Sequence, residues 1–134
     1  MIVRRFLVVL TAVALLAIPG CGSEADDPTD AYLGTWKTRE GWYLEFNADG
    51  TFAMGGSVER AATDPLEWGT FDFDGEILRL ETADDSTYCT GVVAVYEATP
   101  SDDGDSIAQT AVDDACGSRR SDLSRGIERY PSNG

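Results

Sequence analysis

Apolar residues between positions 31 and 130 recur at every second place in short runs, not at helical spacing. Trp42, Leu44 and Phe46 alternate with Tyr43 and Glu45, and the same rhythm carries Phe52 and Met54, Phe71 and Phe73, and Leu78 and Leu80. Successive side chains of a strand point to opposite faces, so these residues share the interior while Glu45, Asp72, Asp74 and Arg79 take the other face. Turn residues punctuate the runs. Asn47-Ala48-Asp49-Gly50 separates Leu44-Glu45-Phe46 from Thr51-Phe52-Ala53-Met54, and Asp74-Gly75 separates Phe71-Asp72-Phe73 from Ile77-Leu78-Arg79-Leu80. Asp-Gly supplies the positive φ of a tight turn, which predicts two consecutive hairpins.

The triplet Gly-Thr-aromatic opens three runs of strand composition, at Gly34-Thr35-Trp36, Gly50-Thr51-Phe52 and Gly69-Thr70-Phe71. Tyr88 to Ala98, rich in Val and Tyr, and Ser106 to Val112 predict two further strands across the turn from Pro100 to Asp105. Asp113 to Arg125 lacks alternation and favours a short helix or turn, and Gly126 to Tyr130 reads as a closing strand. About eight strands at spacings of roughly 8–12 residues leave little room for crossover helices and point to an antiparallel barrel or sandwich; the expected fold is all-β, an antiparallel up-and-down meander closing into a small barrel. Such a closure leaves interior enough for side chains or for one small ligand.

The N-terminus reads as an export signal. Arg4-Arg5 precede an apolar run from Phe6 to Ile18, 13 residues long, where a spanning helix needs about 20. The stretch Leu16-Ala17-Ile18-Pro19-Gly20-Cys21 resembles the bacterial lipobox, with Pro19 standing where a small residue is usual. The resemblance implies cleavage after residue 20 and lipidation of Cys21; ordinary secretory cleavage near Ala17 or Gly20 is the alternative. From Gly22 to Asp30 there is no apolar periodicity and there are four acids, the composition of a flexible tether. The expected organisation is therefore a lipoprotein signal peptide at 1–20, a lipidated Cys and acidic tether at 21–30, a barrel domain at 31–130 and a C-terminal tail at 131–134.

Cysteine arithmetic fits this plan. Of the three cysteines, acylation of Cys21 leaves an even pair, Cys89 and Cys116, which should form a disulfide in an oxidising compartment. Ten Lys and Arg against 24 Asp and Glu give a net charge of −14, and loss of Arg4 and Arg5 with the signal lowers it further. Such an acidic chain repels phosphate backbones, so nucleic acid is not an expected partner. Histidine is absent, which removes the usual general base and imidazole metal ligands. The Asp-Gly clusters at 72–76 and 102–105 lack the spacing of a calcium loop. No catalytic residue, metal site or cofactor is expected, and the chain is not read as an enzyme.

At Gly34-Thr35-Trp36 the pattern is similar to the Gly-x-Trp that opens the first strand of lipocalins. The ordered motifs that follow are Trp42 to Phe46, Asp49 to Phe52, Gly69 to Phe71, Cys89 ahead of a Val/Tyr strand, and Asp114-Ala115-Cys116-Gly117-Ser118-Arg119. From Tyr32 to Tyr130 the chain thus resembles small bacterial lipocalin-like lipoproteins. The resemblance implies that Trp36 closes one end of the barrel beneath a late arginine, either Arg119 or Arg129, through a cation–π contact. It also implies an apolar or amphipathic ligand entering opposite Trp36, against some of Trp42, Phe46, Phe52, Trp68 and Phe71. The functional expectation is a monomeric binding protein held by its N-terminal lipid on the extracytoplasmic side of a bacterial membrane. The alternative is a non-enzymatic envelope scaffold or interaction module whose rings fill the barrel.

Overall fold

The computed structural model describes residues 27–131; the expected signal peptide, lipobox and Cys21 lie outside the described residues. A 3-10 helix, Pro28–Tyr32, takes up the last residues of the segment read as tether and delivers Tyr32 to the interior. Eight strands follow: β1 (Gly34–Thr38), β2 (Tyr43–Phe46), β3 (Thr51–Gly55), β4 (Glu67–Phe73), β5 (Ile77–Thr82), β6 (Val93–Pro100), β7 (Ser106–Asp113) and β8 (Ile127–Arg129). Each pairs antiparallel with the next, and β8 returns to β1 with Trp36 opposite Arg129 and Thr38 opposite Ile127. The protein is a closed eight-stranded up-and-down barrel, as the alternation and turn chemistry predict. No helix among the described residues is long and apolar enough to cross a membrane.

Local chemistry sets the hairpins. At the β4–β5 turn Gly75 has φ +105, and the Asp74 carboxylate accepts from the amides of Glu76 at 2.8 Å and Ile77 at 2.7 Å. Those bonds favour the ionised form and lower its pKa. Gly69 in β4 is needed for another reason: a Cβ there would lie 2.0 Å from the carbonyl oxygen of Glu81 on β5. Two helices interrupt the meander. The first, α1 (Val58–Thr63), is capped by the Ser57 side chain and bridges β3 to β4. It escapes the sequence pattern because six residues are too few for an apolar stripe to repeat. The second, α2 (Gly117–Leu123), lies where a short helix or turn was expected and buries Arg119 and Leu123.

One strand begins later than its composition suggests. Residues 88–92 were expected to open β6, yet they form turns in which Gly91 takes φ +67 and the Thr90 hydroxyl donates to Ser86 O. Cys89, at φ +53, is bonded there to Cys116, joining this loop to the entry of α2. This is the expected disulfide.

The lumen has two chemically distinct halves. At the β1 entry Tyr32, Phe46, Phe52, Phe71 and Phe73 are all buried. The Tyr32 ring meets Phe46 and Phe73 edge-on, with centroids 5.0 and 4.9 Å away, and Phe46 meets Phe71 at 4.8 Å. Offset and edge-to-face arrangements of this kind are the favourable ones for aromatic quadrupoles. Leu44, Leu78, Leu80, Tyr96 and Ile107 continue the core. At the opposite end the inward positions carry Glu67, Thr82 and, from α2, Arg119, all buried.

Candidate functional site

The aromatic end is shut by an arginine, and register identifies which. Arg129 sits across the β1–β8 seam from Trp36, with its guanidinium carbon 4.3 Å from the indole centroid. Its Nε donates to Gly104 O and its Nη1 to Leu33 O, each at 2.9 Å. Trp36 is fully buried and donates Nε1–H to Tyr32 O at 2.7 Å. The 3-10 helix therefore plugs the end that the Trp36–Arg129 pair seals. Tyr32 donates its hydroxyl to Gln109 Oε1 at 2.8 Å, and Gln109 in turn donates to Leu123 O at 3.0 Å. Those two bonds run through the core from the plug to α2.

Arg119 does not cover Trp36. It stands at the opposite end, 1 % exposed at its side chain, inside a polar cluster. Its Nε and Nη2 grip the two oxygens of Asp114 at 2.8 and 2.9 Å, a bidentate pair. Its Nη1 donates to Thr82 Oγ1 at 2.6 Å and to Glu67 Oε1. Asp114 also accepts from the Tyr96 hydroxyl and from the Cys116 amide. Every partner but one is thereby satisfied. Glu67 Oε2 is buried without a hydrogen-bond partner.

This cluster separates the two carboxyl groups electrically. Burial raises the pKa of Glu67, and the pull of Arg119 and Thr82 offsets that only in part. Burial acts on Asp114 in the same sense, but the bonds from Arg119, Tyr96 and Cys116 outweigh it and hold the group below the usual carboxylate range. Opposed shifts of this kind also mark acid–base pairs. Here, however, both carboxylates face one guanidinium, so the arrangement holds charge in place.

Beside the cluster is a cleft of about 150 Å³. Trp42, just before β2, Met54 on β3 and Leu66, just before β4, line it; Tyr88 and Cys89 come from the disulfide-bonded loop; Ser118 and Asp122 come from α2; and Glu67 and Arg119 form its inner wall. Asp122 is half-buried, and desolvation followed by the nearby charge of Glu40 raises its pKa. Hollows of about 430 and 560 Å³ lie elsewhere, lined mainly by exposed residues such as Lys37, Arg39 and Arg125, or Glu76 and Glu97. They adjoin no buried polar group left without a partner, so the smaller cleft is the better candidate. Among the described residues no group of three or more His, Cys, Asp or Glu is placed to hold a metal ion.

The residues expected to line a ligand do not converge. Trp42 is at the cleft, on the rim opposite Trp36, and is half-buried. Phe46, Phe52 and Phe71 are packed into the aromatic end. Trp68 faces outward and donates to Asp85 Oδ1 at 3.2 Å. Sequence reasoning missed Glu67, Thr82 and the role of Asp114, although parity marks two of them. Glu67 and Gly69 share the face of Phe71 and Phe73, and Thr82 shares that of Leu78 and Leu80. No protein-family model matches the chain, and neither does any curated protein or solved structure, so strand order and register carry the fold assignment.

Proposed function

We propose that this is a lipid-anchored bacterial envelope lipoprotein whose lipocalin-like barrel holds one small amphipathic molecule, in the cleft at the end opposite Trp36 and not in the lumen. The observation that carries the reading is Glu67 Oε2, a buried acceptor without a partner in a residue that walls the cleft. Leaving such a group unpaired costs about 1–3 kcal/mol, which a ligand supplying the missing donor recovers. The volume sets the ligand's size. A cavity of about 150 Å³ accommodates a molecule such as benzene, so a long-chain lipid would engage the cleft only by its head. Anchoring rests on the lipobox resemblance and on the pairing of Cys89 with Cys116, which leaves Cys21 as the third cysteine.

Two measurements test the two parts. Cys21→Ser is expected to move the protein from the membrane to the soluble fraction and to abolish labelling by a clickable fatty acid, because stable anchoring needs acyl chains; wild-type protein found soluble and unlabelled refutes the anchor. For binding, the full chain in detergent is titrated with small aromatic alcohols and amines while tryptophan emission is followed, with Trp42→Phe as control. A response that persists unchanged in the control places binding elsewhere. A second reading, an envelope scaffold acting through protein contacts, draws on the filled aromatic half of the lumen. Absence of any small-molecule response up to millimolar concentration favours it.

A further inference from the structure

We infer that the cleft selects an organic ammonium ion, a protonated amine on an apolar body about the size of a benzene ring, with Glu67 Oε2 as its anchoring acceptor. The inference rests on reading the cleft as a binding site and adds the chemistry of the occupant. Two carboxyl groups, Glu67 and Asp114, meet the Arg119 guanidinium, and a third, Asp122, lines the cleft with the charges of Glu40 and Arg125 near it. The guanidinium is already committed to Asp114 through two bonds and to Glu67 and Thr82 through one each. The surroundings thus hold a surplus of negative charge and an acceptor without a donor. A carboxylate ligand meets repulsion from Glu67 and Asp122, and a neutral alcohol satisfies the hydrogen bond while leaving the charge uncompensated. An ammonium group answers both.

The walls suit the rest of such a molecule. Trp42 and Tyr88 line the cleft, and aromatic side chains attract cations. Met54 and Leu66 supply apolar contact. Glu67 itself has no exposed surface, so contact requires a small movement at the inner wall. Met54 is unbranched and adapts to irregular space at low cost, and the Tyr88 ring is half-exposed.

The test titrates the full chain in detergent with three probes of one shape: benzylamine, benzyl alcohol and benzoate, followed by calorimetry and by the indole signal of Trp42. Benzylamine is expected to bind about tenfold more tightly than benzyl alcohol, the equivalent of one charge-assisted bond replacing a neutral one, and benzoate not at all. In Glu67→Gln the benzylamine affinity is expected to fall about tenfold while that for benzyl alcohol stays within about twofold, since the amide keeps the shape and loses the charge. If Glu67→Gln fails to fold, Asp122→Asn replaces it, with a loss of about threefold expected for benzylamine alone. Equal or tighter binding of benzyl alcohol, any binding of benzoate, or an unchanged benzylamine affinity in the folded variants overturns the ammonium assignment and leaves the cleft as a binding site. Silence of all three probes removes both.

Discussion

Arg119→Met is the sharpest single perturbation of this barrel. Methionine approximates the length of arginine without its charge, so packing is largely kept while four hydrogen bonds disappear, two to Asp114 and one each to Glu67 and Thr82. Two carboxyl groups are then left buried beside each other, at 0 % side-chain exposure. Removing one partner of a buried ion pair costs about 3–5 kcal/mol, a large share of the roughly 5–15 kcal/mol that holds a domain folded. With a urea slope of about 1.5 kcal/mol/M, the midpoint should fall by about 2–3 M. The assay is urea unfolding followed by tryptophan emission, with the disulfide intact. The loss should shrink as pH falls from 7 toward 4: without the guanidinium the folded-state pKa values of Asp114 and Glu67 rise, and groups so raised favour the fold when protonated. The triple variant Arg119→Met, Glu67→Gln, Asp114→Asn should recover at least half of the loss, because no charge is then left unpaired. A cost below about 1 kcal/mol for Arg119→Met, or a loss independent of pH, refutes the view that the cluster is desolvated.

Other consequences follow from the same geometry. Trp36→Ala should cost about 3–5 kcal/mol by emptying a fully buried site, whereas Arg129→Ala should cost about 0.5–2 kcal/mol by removing the cation above the ring; urea midpoints of the two variants check the order. Cys89→Ser with Cys116→Ser should lower stability by about 3.5 kcal/mol, the loop entropy for a separation of 27 residues, and a thiol assay on the unfolded wild type should find neither cysteine free. Glu67→Gln should change the pH profile of the melting temperature. The raised pKa of Glu67 means that its contribution is complete below its ordinary value of 4.5 and is lost as pH rises through the folded value. The variant should therefore lose less stability than wild type between pH 5 and 8. Asp114 contributes in the other sense, its share being present above its ordinary value of 3.8 and lost as pH falls through the lowered one. The acid limb should then be common to both proteins, and a parallel decline of the two melting curves above pH 5 counts against the assignment for Glu67.

The hairpins were legible because turn chemistry and alternation agreed. Asp74-Gly75 with Phe71, Phe73, Leu78 and Leu80 on one parity admits one register, and the structure adopts it, with Phe71 opposite Leu80 and Phe73 opposite Leu78. The choice between Arg119 and Arg129 was not legible, because it depends on register across the β1–β8 seam, where Trp36 meets a residue 93 positions away, 129 − 36. Tyr32 was hidden for a similar reason. It is a single ring beside acids, in a segment without periodicity, and its burial comes from partners on β2, β4 and β7 as well as from Trp36. The grouping of Trp68 with Phe71 failed on parity alone, since residues three apart on a strand face opposite sides. Glu67 was legible by that same rule but reads as an anomaly, because a carboxylate on an inward face is improbable until Arg119, 52 positions away, is placed beside it.

That anomaly separates what holds the barrel from what it does. The aromatic end needs no buried ion pair: a 3-10 helix, five rings and the Arg129 cap fill it, and each buried ring or aliphatic side chain contributes about 1.5–3 kcal/mol. The other end could be filled in the same manner, since replacing a buried ion cluster by apolar groups of equal volume is often neutral or stabilising by about 1–4 kcal/mol. Stability therefore gives no reason for Glu67, Asp114 and Arg119 to be buried there, and still less for an unpaired oxygen beside a cleft. The triple variant divides the two roles in one molecule. With its charges gone and its volume kept, it should retain most of the wild-type urea midpoint and lose the preference for benzylamine over benzyl alcohol. A triple variant that still discriminates between the probes would place the selectivity in Trp42, Tyr88 and Asp122, and one that unfolds would make the cluster a structural element after all.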